Sequence, residues 1–104
     1  MREAKRRRLA AKGWRFGSVK EFLGLSDQEA EYIELKLNLA EGLREKRRAR
    51  GLGQVALARL AGSSQSRVAK MEAGDESVSL DLLIRSLLAL GASKPELARI
   101  VAGR

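Results

Sequence analysis

The residues best placed to do chemistry lie close together in the chain: Gln54, Arg59, Ser64, Gln65, Ser66, Arg67 and Lys70, with Arg50 just ahead of them. Their groups are amides, hydroxyls, guanidiniums and an ammonium. None is a strong nucleophile at neutral pH without a base beside it. The chain has no His and no Cys. That excludes Ser–His and Cys–His catalysis, thiol chemistry, disulfides and zinc sites with His or Cys ligands. What the set can do is hydrogen-bond. A Gln amide matches adenine N6 and N7, an Arg fork matches guanine O6 and N7, and Ser is a permissive short partner. The chemistry predicted is recognition, not bond making, and no cofactor or metal is expected.

Such groups read base edges only if an element presents them together. Gln54 to Ala61 predicts one short helix and Gln65 to Ala73 a second, joined by Gly62-Ser63-Ser64. Two short helices on a tight Gly-containing turn make a helix-turn-helix. Gly62 can take the positive φ that the turn demands. Ala58 is small where the two helices approach. Val68 and Met71 are three apart and face inward. Ser64 caps the second helix. Gln65, Ser66, Arg67 and Lys70 are then left on its exposed N-terminal end and outer face, from which such helices reach base edges.

The rest of the 104 residues must hold this pair in place. The length predicts one domain. Ser18-Val19-Lys20-Glu21 has the capping-box spacing and predicts a short helix to Gly24. Ser26-Asp27-Gln28-Glu29 repeats it and opens a long helix, from about residue 27 to about 50. Its apolar positions form two stripes: Ile33, Leu37, Ala40 and Leu43, then Tyr32, Leu35 and Leu39. Trp14, Phe16 and Phe22 are candidates to cover one side, and a partner subunit the other. Ser79 caps Leu80 to Leu90, and Ser93-Lys94-Pro95-Glu96 opens a last helix to about Ala102. Leu82, Leu83, Leu87, Leu88 and Leu90 read as core or dimer interface. No segment alternates with period two, so the fold class is all-α.

The net charge of +8 is unevenly spread. Residues 1–20 carry +7, residues 21–43 carry −5, residues 44–74 carry +6, and residues 75–104 balance. The +6 surrounds the helix-turn-helix and points to duplex DNA. Arg44, Lys46, Arg47, Arg48 and Arg50 are either a solvated helix end or phosphate contacts, with Arg50 the best placed for phosphate. Arg59 meets either phosphate or water. Arg44 and Glu72 are a candidate pair inside the domain. The +7 is a solvated tail or a phosphate-binding arm. The −5 is a candidate surface for a basic protein partner. The longest apolar run, Leu87 to Ala92, is far too short to span a bilayer, and no signal-like stretch follows the basic N-terminus. A cytoplasmic location is expected.

The sequence also resembles a known family. From about Leu37 to Leu90 it is similar to the XRE/Cro/C1-type helix-turn-helix domain of bacterial and phage repressors. The matching residues are Leu43-Arg44-Glu45, Arg50-Gly51-Leu52, Gln54, Leu57-Ala58, Gly62, Ser64-Gln65-Ser66, Val68, Glu72-Ala73-Gly74 and Ser79-Leu80. Gly53 and Ser63 depart from it, where a Thr or Ser cap and an apolar residue are usual. The resemblance implies a five-helix, lambda-repressor-like domain over residues 37–104 that binds the major groove, usually as a dimer. It also implies that Gln54 braces a phosphate and Gln65. Residues 1–12 would be a basic tail and 13–36 an N-terminal extension. Gly13-Trp14, Gly17-Ser18 and Glu21 to Ser26, with the later Ser64-Gln65-Ser66-Arg67-Val68 and Val78-Ser79-Leu80-Asp81, resemble small XRE-type antitoxins encoded beside RelE/HigB-like toxins. That implies a toxin partner. Two other classes fit the residues less well. An enzyme finds only the Asp75, Glu76 and Asp81 cluster, at a loop and helix start, and no P-loop. A pure protein-interaction module would leave Gln65, Ser66 and Arg67 incidental.

Overall fold

The computed structural model describes Gly24 and residues 26–103. The expected tail, the short helix near residues 18–24 and the Trp14 and Phe16 anchor lie outside the described residues. Among the described residues there are five α-helices and no strand: α1 Asp27–Ala49, α2 Gln54–Ala61, α3 Gln65–Glu72, α4 Leu80–Ala89 and α5 Lys94–Val101.

Each start follows from a cap written in the sequence. Ser26 Oγ accepts from Glu29 N at 3.1 Å, and Glu29 Oε1 accepts from Ser26 N at 3.1 Å, a full capping box. Ser64, Ser79 and Ser93 accept from Arg67 N, Leu82 N and Glu96 N at 3.1–3.2 Å. Pro95 sits in the first turn of α5, where its missing N–H is not needed. Gly53 caps α2 through backbone geometry alone, with no side-chain bond. Gly62 takes φ +63 between α2 and α3, so the turn needs a residue without a Cβ there.

α1 is the frame. It packs on α3, α4 and α5, while α2 packs on α3 and α4. Leu39, Ala40 and Leu43 of α1 meet Leu57 and Ala58 of α2, Val68 and Met71 of α3, and Leu83 and Leu87 of α4 in one buried cluster. Both expected α1 stripes point at that cluster where they reach its C-terminal half. Nearer the N-terminus they do not. Ile33, Leu35 and Leu37 are half-buried, and Tyr32 is 49% exposed. The leucine set of α4 divides as well. Leu83, Leu87 and Leu90 are core, whereas Leu88 is exposed. Ser86, also fully buried, donates from Oγ to Met71 Sδ at 3.2 Å.

Gly42 sets the distance between α1 and α5. A Cβ there would lie 2.6 Å from Ile100 Cγ2. Gly42→Val is expected to cost about 1–3 kcal/mol by overpacking, measured by urea unfolding. Adding Ile100→Ala should recover part of the loss. In the α2–α3 turn, Ser63 Oγ is buried without a hydrogen-bond partner. Ser63→Ala is therefore expected to stabilise the domain by about 1 kcal/mol, read as a higher urea midpoint at unchanged slope.

Candidate nucleic-acid interface

The site starts from a buried ion pair. Arg47 lies four and seven residues beyond two core positions of α1, Leu43 and Ala40. That periodicity turns it inward, and it is only 9% exposed. Its Nη2 donates to Glu72 Oε1 at 2.9 Å, its Nε donates to Glu72 Oε2, and its Nη1 donates to the Leu52 carbonyl at 2.8 Å. One guanidinium thus joins α1 to the last turn of α3 and to the α1–α2 connection. The pairing of Glu72 with Arg44 expected from the sequence is not formed: Glu72 pairs with Arg47 instead. Arg44 is exposed and adds only its field. Arg47 is accordingly neither a solvated helix end nor a phosphate contact.

The pair fixes the direction of a chain of amides. Glu72 is an acceptor only. Gln54 must therefore turn its NH2 toward it, and Nε2 donates to Glu72 Oε1 at 3.1 Å. Gln54 Oε1 then faces α3, where Gln65 Nε2 donates to it at 2.7 Å. The bracing of Gln65 by Gln54, implied by the resemblance, is present. Gln65 is left with Oε1 and one N–H facing outward, a paired acceptor and donor.

Around that amide the surface is cationic and hydroxylated. Ser64, Ser66, Arg67 and Lys70 are exposed and line a groove of about 350 Å³ with Ser77. Ser77 was not visible as a site residue in the sequence. It donates from N and Oγ to Asp75 Oδ1 at 2.8 and 2.6 Å. Those two bonds, with the charges of Lys70 and Lys36, hold the Asp75 carboxyl below its usual range. Arg59 is exposed on the last turn of α2. Arg50 is exposed too, but its Nη1 donates to the Leu90 carbonyl at 2.9 Å and so ties the end of α1 to the end of α4. Lys46 reaches both carboxylate oxygens of Glu96 on α5 at 3.0 Å.

A family model described as a helix-turn-helix domain matches residues 38–100. The chain belongs to the helix-turn-helix domain family. No curated protein and no solved structure matches it. The family is a DNA-binding one and typically not enzymatic. The match and the five helices together give a lambda-repressor-like all-α fold. The matched stretch begins inside α1 and ends in α5, so it takes in the helix-turn-helix of α2 and α3 together with the C-terminal half of α1, all of α4 and most of α5. No helix among the described residues is long and apolar enough to cross a membrane.

Burial alone pushes the Glu72 carboxyl upward. The hydrogen bonds from Arg47 and Gln54 and the charges of Arg47 and Arg44 outweigh it, and the carboxyl lies below its ordinary 4.5. A lowered folded pKa contributes stability that is complete above the unfolded value and is lost as pH falls through the folded one. The domain should therefore lose stability on acidification below about pH 4.5. Glu72→Gln should cost about 3 kcal/mol at neutral pH by leaving Arg47 buried and unpaired. It should also flatten the acid limb of the urea-midpoint profile against pH. An unchanged acid limb would show that Glu72 is not the titrating group.

Proposed function

We propose that the chain is a sequence-specific regulator of transcription, of the XRE/Cro/C1 kind, that sets α3 in the major groove of duplex DNA. The observation that carries this is the outward edge of Gln65. The relay from Glu72 leaves it one acceptor and one donor, the complement of adenine N6 and N7. Arg67 stands two residues on for guanine. Ser64, Ser66 and Lys70 edge the same face, and the α3 N-terminus favours a phosphate. Gln54, Arg50 and Arg59 supply backbone contacts that position the helix without reading sequence. Arg50 reaches its phosphate while Nη1 stays on Leu90.

The active species is a homodimer on a two-fold symmetric operator, with half-site centres about 34–36 Å apart. Ile84 and Leu88 support the pairing. They lie one turn apart on α4, are 36% and 50% exposed, and offer an apolar strip to a second copy. Repression follows where the operator overlaps a promoter. A second role, as the antitoxin of a RelE/HigB-like toxin, is favoured by the acidic first half of α1, where Glu31 and Glu34 meet exposed Tyr32. Co-expression with the neighbouring open reading frame tests it. A stable complex and restored growth are expected, and neither would appear if the role were absent. A module that only binds protein would have no use for an amide held in one orientation beside two cations.

Gln65→Ala and Arg67→Ala should each lower discrimination between operator and random duplex by about 1–3 kcal/mol, roughly five- to 150-fold. Arg59→Ala should weaken all sequences alike and lower the salt slope by about one. Competition binding at several salt concentrations separates the two effects. An unaltered preference in Gln65→Ala would overturn the reading of α3.

A further inference from the structure

A second groove, of about 560 Å³, shares no residue with the one beside α3. It follows the N-terminal half of α1 and meets the end of α5. Gln28, Glu31, Tyr32, Glu34, Asn38 and Val101 line it. Asn38 is only 6% exposed. Its Nδ2 donates to the Val101 carbonyl at 3.1 Å, which fixes the amide, because a flip would set oxygen against oxygen. Asn38 Oδ1 is then buried without a hydrogen-bond partner. A buried acceptor in that state is costly, and a donor entering the groove relieves it. Glu31 and Glu34 take part in none of the ion pairs among the described residues. Tyr32 and Val101 add exposed apolar surface. The occupant that fits brings cationic N–H donors interleaved with apolar side chains.

We propose that this groove seats the chain's own basic segment, residues 1–20. That segment carries eight cations against Glu3, with Leu9, Trp14 and Phe16 among them. It joins the described structure at the end of α1 where the groove begins. Gly24, with φ +64, provides a turn just ahead of the Ser26 cap. Gln28 to Asn38 spans about 15 Å of helix, a length that about five extended residues cover. The segment is long enough to turn back and run along it. The tether also makes the contact intramolecular, with an effective concentration on the order of millimolar, which a separate basic partner must exceed. Seated there, its cations are met by the chain's own acids instead of by phosphate. DNA and the groove then compete for one set of charges.

The chain has no Cys, so Lys12→Cys places a single spin label in the full-length protein. The DNA-free chain is expected to show strong paramagnetic broadening of the Glu31, Tyr32 and Val101 amides and little at Ser66. Glu31→Gln with Glu34→Gln should remove most of it. So should raising the salt on the unsubstituted groove to about 0.5 M, where the Debye length falls below about 5 Å. A groove without broadening would overturn the proposal. Broadening that survives both the substitutions and the salt would do so too. Broadening seen only between separately labelled chains would assign the groove to a second copy and overturn it equally.

Discussion

The Arg47–Glu72 pair is the constraint on which the recognition face depends. A buried pair of this kind is not where net stability comes from, since desolvation offsets much of the attraction. Its effect is on geometry. The guanidinium is bound on three sides, by Glu72 of α3 through two bonds and by the Leu52 carbonyl between α1 and α2. Rotating or sliding α3 would break those bonds and strand a charge in the core. The helix is therefore held in one register on α1. Because Glu72 accepts and cannot donate, the same pair sets the sense of every amide out to Gln65. Fold and recognition chemistry are joined through one carboxylate.

That arrangement changes the meaning of the charge around the motif. The +6 of residues 44–74 is not all available to a phosphate. Arg47 is spent on Glu72 and Lys46 on Glu96. Arg50 is shared with the Leu90 carbonyl. Arg44, Arg48, Arg59, Arg67 and Lys70 remain exposed, the last two beside the groove. On the proposed reading, fewer cations than the net charge suggests are free for phosphate, and the oriented side chains of α3 take a larger share of the binding. The acidic block is likewise not one surface. Glu29 is used in the α1 cap, while Glu31 and Glu34 face the groove that ends at Asn38.

Much of this was legible in the sequence because it is local. Ser26, Ser64, Ser79 and Ser93 each announce a helix start, and the positive-φ glycine of the turn, Gly62, falls where small spacing demanded it. Val68 and Met71 follow from a three-residue interval on one short helix and are fully buried. What was not legible depends on where one helix lands on another. Arg44 and Arg47 are both basic residues near the end of α1. The spacing from Ala40 and Leu43 turns Arg47 inward, but the angle at which α3 crosses decides that Glu72 is what it meets. The bond from Arg50 to Leu90 spans forty positions and leaves no local trace. Ser77 gained significance only when its loop came beside Lys70 and Arg67. The helix-turn-helix was thus readable, and the brace behind it was not.

The central claim is that an internally braced Gln65 edge, flanked by Arg67 and Lys70, reads duplex DNA. Selection of bound duplexes from a random pool by the unsubstituted chain, carried through several rounds at physiological salt, tests it most directly. The account predicts enrichment of a two-fold symmetric sequence with half-sites about one helical turn apart and an adenine at a fixed position in each. Recovery of duplex with no preferred sequence, or of no duplex at all, would contradict it.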